Sequence, residues 1–239
     1  MHIYSLYICD KIIRVESECG GFIRFCRGYI IKEPSPIPDY VISISREEIN
    51  AQRSISDACS TDLLEGFVLL KKLENLMLND EGILLMHGSV VVHRNSAYMF
   101  TASSGVGKTT HSRLWIKNLP NAYILNGDKP FISTQNSIVA WGSPWCGSEG
   151  FNKNQGVELK AICLIRREEN NSISEISFEE ALPELALQTG NPNPNQYETK
   201  IQIIKALYRL KDCVKFFDLR INNFKDDAFL TSYQAISKL

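Results

Sequence analysis

From residue 102 to residue 109 the chain reads Ala102-Ser103-Ser104-Gly105-Val106-Gly107-Lys108-Thr109. A strand that stops in small residues, followed by glycines and a helix opening at a lysine, lets backbone N–H groups converge on a phosphate. Lys108 would then reach the β and γ phosphates, and the Thr109 hydroxyl would take a position on Mg²⁺. Together with Ser103, Ser104, Gly105, Val106, Gly107 and Thr110, they form the candidate site for ATP or another nucleoside triphosphate. The strict motif begins with glycine where this chain has Ala102. Its flanks nevertheless fit, with Tyr98-Met99-Phe100 strand-like upstream and His111 to Lys117 helical downstream.

A hard cation held by phosphate and one hydroxyl also needs an anionic oxygen, usually from a carboxylate just past a neighbouring strand. Asp128, after Ile124-Leu125-Asn126-Gly127, has that position. Glu149 lies in the irregular stretch Gly142 to Gly150 and is either a second metal-side carboxylate or a solvated loop residue. His87 ends an apolar run beside Gly88 and is either a strand-end packing residue or a catalytic group facing the same cleft. His111 reads as a surface or packing residue on the helix after the loop. Arg113, Arg166 and Arg167 read as solvated or helix-face charges, with phosphate contact as the alternative.

The elements that must position these groups follow from periodicity. Short β-rich pieces are expected at Ile3 to Cys9, Ile12 to Glu16, Phe22 to Phe25, Tyr29 to Ile31 and Tyr40 to Ile44. Glu33 to Pro38, with three prolines, is a connector that cannot sustain a ladder. Leu63, Phe67, Leu70, Leu73 and Met77 recur at helical spacing over Thr61 to Asn79, an amphipathic helix for packing on a sheet. Strands are expected at Ile83 to Met86, Val90 to His93, Ala97 to Phe100 and Ala122 to Leu125, with a helix from Lys108 to Asn118 stopped by Pro120. Phe131 to Ser133 and Ile138 to Trp141 read as a hairpin, and Val157 to Ile165 as a central strand. Ser177-Phe178-Glu179-Glu180 is a capping box that opens a helix ended by Gly190. A helix from Tyr197 to Leu210, a strand from Val214 to Leu219 and a helix from Lys225 to Ser237 complete the chain. Residues 1–80 thus read as a β-rich extension that lengthens the sheet, plus the amphipathic helix; residues 81–239 read as the core of one compact unit.

Composition narrows the partners. The chain has 239 residues, 44% of them hydrophobic, and a formal charge of -1, so no global field recruits nucleic acid or an anionic membrane. Its apolar runs are strand-sized, far below the roughly 18 residues of a membrane helix. The N-terminus lacks the pattern of a signal peptide. Seven cysteines without a C-x-x-C pair argue against a disulfide framework or a zinc site. The expectation is a soluble, cytoplasmic protein.

Met86-His87-Gly88-Ser89, then Ser104-Gly105-Val106-Gly107-Lys108-Thr109, then Leu125-Asn126-Gly127-Asp128 resembles the catalytic domain of HPr serine kinase/phosphorylase. The run Ser104 to Thr110 is also similar to the kinase loop of phosphoenolpyruvate carboxykinase. In length the chain looks closer to compact kinases of this relationship that phosphorylate a serine hydroxyl. The resemblance implies an α/β P-loop kinase core of the HPr kinase/carboxykinase type, with a mixed β-sheet and flanking helices. It also implies Mg-ATP as phosphoryl donor, a hydroxyl-bearing protein, peptide or small molecule as acceptor, and self-association into a homo-oligomer. Carried over by position, Lys108 and Thr109 hold phosphate and metal, Asp128 is the second acid of the family's pair, and Glu149 matches a later metal-side glutamate. The first acid, the family's base, is matched by Gly127. Either Asp128 or His87 must then take the proton, or the chain is a regulatory module that binds nucleotide without transferring phosphate.

Overall fold

Alternating apolar residues at the N-terminus form β1 (His2–Ile8) and β2 (Lys11–Ser17), paired antiparallel. In their turn Cys9 and Asp10 adopt φ of 53° and 62°, the left-handed pair that matches the twist of a tight hairpin. The computed structural model describes residues 1–32, 37–53, 59–223 and 225–238, so Glu33 to Pro36 of the expected connector lie outside the described residues. β3 (Tyr40–Ile44) then adds parallel to β2.

Two expected strands take other forms. Phe22 to Phe25 lies in a 3-10 helix, Gly21–Cys26. The buried Glu65 carboxylate accepts the amides of Gly20 (2.8 Å) and Phe22 (2.9 Å) as well as the Ser17 hydroxyl, so donors needed for a ladder are taken by a side chain. Gly20, at φ 70°, turns the chain into this segment. Tyr29 to Ile31 contributes a single bridge, from Ile30 to Leu6.

Two helices follow, α1 (Arg46–Arg53), which periodicity did not reveal, and α2 (Thr61–Glu81). Ser60 caps α2 by accepting the Leu63 amide, and Gly82 closes it at φ 60°. Leu64, Leu69, Leu73 and Met77 of α2 share one core with Leu6, Ile8, Ile13 and Val15 and with Ile83, Leu85 and Phe131. Each such leucine contributes about 1.5–3 kcal/mol by leaving water. The N-terminal strands, expected to extend the core sheet, therefore make a separate sheet of order β1-β2-β3, joined to the rest through α2.

The larger sheet is mixed. β4 (Ile83–Leu85), β5 (Gly88–His93) and β6 (Ser96–Thr101) precede α3 (Lys108–Asn118) and β7 (Tyr123–Asn126). β8 (Phe131–Ser133) and β9 (Val139–Trp141) form the expected hairpin. β10 (Gly156–Arg167) leads to an edge strand not foreseen, β11 (Ser172–Ile176), then α4 (Phe178–Gln188), α5 (Tyr197–Tyr208), β12 (Lys215–Ile221) and α6 (Asp226–Ile236). The strand order is β4-β8-β9-β10-β6-β5-β7, with β12 on the other side of β10 and β11 beyond it. β10 is the central strand, parallel to both β6 and β12. Its residues alternate between two cores. Ile162 and Leu164 meet Phe178, Leu185, Ile203 and Leu207 of α4 and α5, while Cys163 and Ile165 share a cluster with Trp115 and Phe229 of α3 and α6. The Ser177–Glu180 capping box is complete. None of the seven cysteines is paired, and no described helix is long and apolar enough to cross a membrane.

One buried carboxylate is held against its chemistry. Glu74 on α2 is 8% exposed, and its Oε1 has no hydrogen-bond partner among the described residues. Burial raises its carboxyl from an ordinary 4.5 to about 7, opposed by Lys129 and Lys71. The folded state then holds its proton more tightly than the unfolded chain, so stability falls as pH rises through the 4.5–7 window. Glu74→Gln, which cannot ionise, is expected to match the parent near pH 4 and exceed it by about 3 kcal/mol at pH 8. Urea midpoints at the two pH values check this; an equal difference at both contradicts it.

Candidate functional site

Strand polarity brings the expected residues together. β6 and β7 are both antiparallel to β5, which lies between them, so they run parallel to each other. The loop after β6, the turn after β7 and the residue before β5 must therefore emerge at the same edge. These carry residues 102–107, Asp128 and His87. All three segments contribute to one cleft of about 350 Å³, with Ser104, Gly105, Gly107, Lys108, Thr109 and Thr110 on one side and His87, Asp128, Gly147 and Glu149 among the rest.

Gly105 and Gly107 take φ of 79° and 117°, values that L side chains rarely adopt, and a Cβ on Gly105 would meet nothing within 4 Å. The loop is thus bent by its glycines towards open space. α3 begins without a side-chain cap among the described residues, so the amides of its first turn face the cleft unclaimed by a capping side chain. Lys108 is buried, and its Nζ donates to the carbonyls of Ala102 (3.0 Å) and Ser103 (3.3 Å), closing the loop on itself. Burial lowers its pKa, with Asp128 acting in the opposite direction. Thr109 Oγ1 donates to the Gly127 carbonyl at 3.3 Å, which sets that hydroxyl beside the Asp128 turn. Ser103 and Val106 belong to the loop but are not among the lining residues of the cleft. The Val106 carbonyl instead receives Arg167 Nε at 3.0 Å.

Asp128 is positioned by its neighbours. Buried Asn126 accepts the amides of Asp128 (2.9 Å) and Lys129 (2.8 Å) through Oδ1 while its Nδ2 donates to Ser143. A Cβ at Gly127 would stand 2.8 Å from the Cys146 carbonyl oxygen, so packing leaves no room there for an aspartate without a backbone shift. The hydrogen bond with His87 holds the Asp128 carboxyl below the usual carboxylate range; burial opposes this, and Lys129 and Lys108 reinforce it. Asp128 is accordingly an anion facing the loop.

His87 is fixed from three directions. Its carbonyl accepts Thr101 Oγ1 (2.6 Å), its amide donates to the Gln188 carbonyl (2.7 Å), and its Nδ1 meets Gln188 Oε1 at 2.9 Å. Gln188 Nε2 donates to Glu184 Oε1 at 3.0 Å, which turns the amide oxygen towards the imidazole. Nδ1 must then carry a proton, and the contact with Asp128 Oδ1, 3.4 Å away, is a hydrogen bond when Nε2 carries a second. In Gln188→Leu the neutral ring is expected to move its proton to Nε2. Two-bond ¹H–¹⁵N spectra report the tautomer, and an Nε2-protonated neutral ring in the parent would refute the assignment.

The other candidates have partners of their own. Glu149 lines the cleft but pairs with Arg113 at 2.5 Å, and the Arg113 guanidinium lies over the Phe151 ring. Arg166 pairs with Asp218 at 3.0 Å. His111 is a packing residue: it is buried, its pKa is pushed down to about 3 by burial, and its Nε2 lies 3.0 Å from Ser232 on α6. Gln188, Glu184 and Lys129 escaped sequence reasoning. For the first two, the only local signal was a position near the end of a capped helix. Lys129 directly follows Asp128 and was open to notice as a cation beside the expected phosphate site. No protein-family model matches the chain, and neither does any curated protein.

Proposed function

We propose that the protein is a kinase with a P-loop core of the HPr kinase/carboxykinase type, using Mg-ATP to phosphorylate a hydroxyl, most simply a serine of a small protein or peptide. The observation that carries this reading is the meeting of the glycine loop, Asp128 and His87 in one cleft. A triphosphate fits the residues present. Lys108 has loop carbonyls as its partners and can exchange them for phosphate oxygens, and Gly105 borders open space. Thr109 Oγ1 and the Asp128 carboxylate are the oxygen donors that would hold Mg²⁺, which when bound supplies charge neutralisation on the phosphates.

In the transfer, the acceptor oxygen bonds to the γ-phosphorus as the bond to the bridging oxygen of ADP breaks. The hydroxyl proton goes to the Asp128 carboxylate, the anion that the His87 side chain holds beside the loop. Loop amides and Lys108 stabilise the charge of the transferring group, the larger part of the catalysis. Incubation with γ-labelled ATP and serine-bearing peptides, comparing the parent with Asp128→Asn, tests the reading; equal labelling by both removes Asp128 from the chemistry.

A second reading, a nucleotide-binding regulatory module, is favoured by Gly127, where the Cys146 carbonyl takes the space of a first acid. Tight ATP binding with neither transfer nor hydrolysis distinguishes it.

A further inference from the structure

His87 lines two clefts. On one side is the loop cleft; on the other is a cavity of about 220 Å³ bounded by Met86, Lys129, Gln188, Thr189 and Gly190. His87 is the one lining residue the two have in common. The second cavity forms where the chain leaves α4. There Thr189 bridges to Met86 and the Gly190 amide donates to the Leu85 carbonyl at 2.8 Å, so the wall is built on backbone. Gly190 in that wall tolerates no side chain, since a Cβ would lie 1.9 Å from Glu74 Oε1.

Lys129 supplies the charge. Its amide is held by Asn126 and Trp145, which fixes the residue beside Asp128. Among the described residues its ammonium makes no hydrogen bond or ion pair, although Asp128, Glu74 and Lys108 all feel its field. A half-buried lysine that forms no ion pair among the described residues can take an anionic partner. The cavity is below the usual 300–1,000 Å³ of drug-sized ligand sites. It suits one small polar group rather than a folded surface.

We infer that this cavity receives the phosphoryl acceptor, and that the acceptor carries a carboxylate close to its hydroxyl, the carboxylate on Lys129 and the hydroxyl at His87. The inference rests on the kinase reading, because it takes His87 as the boundary between donor and acceptor. Two sources share this chemistry: a free hydroxy acid, and a serine flanked by acidic residues in a peptide.

The test is binding in the presence of Mg²⁺ and a non-hydrolysable ATP analogue, read by saturation-transfer NMR. Glycerate is compared with glycerol, and acetyl-Asp-Ser-Asp-amide with acetyl-Asn-Ser-Asn-amide. In the parent at least one carboxylate-bearing probe is expected to bind at least tenfold more tightly than its neutral counterpart. Lys129→Met should erase that preference, a loss of about ten- to a hundredfold, as removal of a charge-assisted hydrogen bond implies. Lys129→Arg should keep it, and nucleotide affinity should change less than threefold in both variants. Which probe binds tells the free acid from the peptide. No carboxylate preference in the parent, a preference that survives Lys129→Met, or a Lys129→Met loss confined to nucleotide affinity each overturns the inference. Charge-dependent binding without labelled product upholds the cavity and counts against the kinase reading alone.

Discussion

Lys108→Met is expected to weaken ATP binding by two to three orders of magnitude. The substitution keeps the length of the side chain and most of its packing but removes a buried ammonium. That ammonium donates to the Ala102 and Ser103 carbonyls, and in the proposed ATP complex it would neutralise phosphate charge. Breaking a buried charge pair by deleting one partner costs about 3–5 kcal/mol, and every 1.4 kcal/mol is tenfold in affinity. Stability should change less than affinity, because two neutral carbonyls near the exposed Ser103 and Ser104 can turn to water. Titration calorimetry beside a thermal melt separates the two effects, and a variant that still binds within threefold of the parent would exclude Lys108 from the phosphates.

Asp128→Asn is expected to lower the rate of phosphoryl transfer by about 10²- to 10⁴-fold, the usual contribution of a positioned proton acceptor. The amide retains the size of the carboxylate, and Asn126 still anchors the backbone at this position. What is lost is an anion whose pKa is depressed chiefly by its hydrogen bond with His87. A depressed carboxyl is ionised throughout the neutral range, so the parent rate should not fall until the medium is acidic enough to protonate it. Single-turnover rates with labelled ATP show the loss directly. Nucleotide affinity without Mg²⁺ should be nearly unchanged, which separates the loss from phosphate binding by the loop; a variant as fast as the parent would return the proton to His87 or to water.

Where local chemistry decides the structure, the sequence was sufficient. α3 begins and ends where Gly107 and Pro120 say it should, and α4 opens on its capping box. β10 is central as its long, mostly apolar run implied. Where a distant group decides, it was not. The 3-10 helix at Gly21–Cys26 exists because Glu65, more than forty positions later, captures two amides. α1 has one buried residue, Ile49, so its stripe is too thin to read, and β11 is a mostly polar edge strand held by β12. The same division runs through the site. The loop, Asp128 and His87 were legible as types and spacings, whereas the Gln188 contact with His87 spans 101 positions and arises from the return of the chain after α4.

Isothermal titration of the folded protein with ATP at millimolar Mg²⁺ tests the phosphate site most directly. A loop bent by Gly105 and Gly107 around an ammonium should give saturable heat at one site per chain in the parent and far weaker binding in Lys108→Met. No heat with ATP or GTP from a sample that melts cooperatively would contradict the site, and the assignment of kinase activity with it.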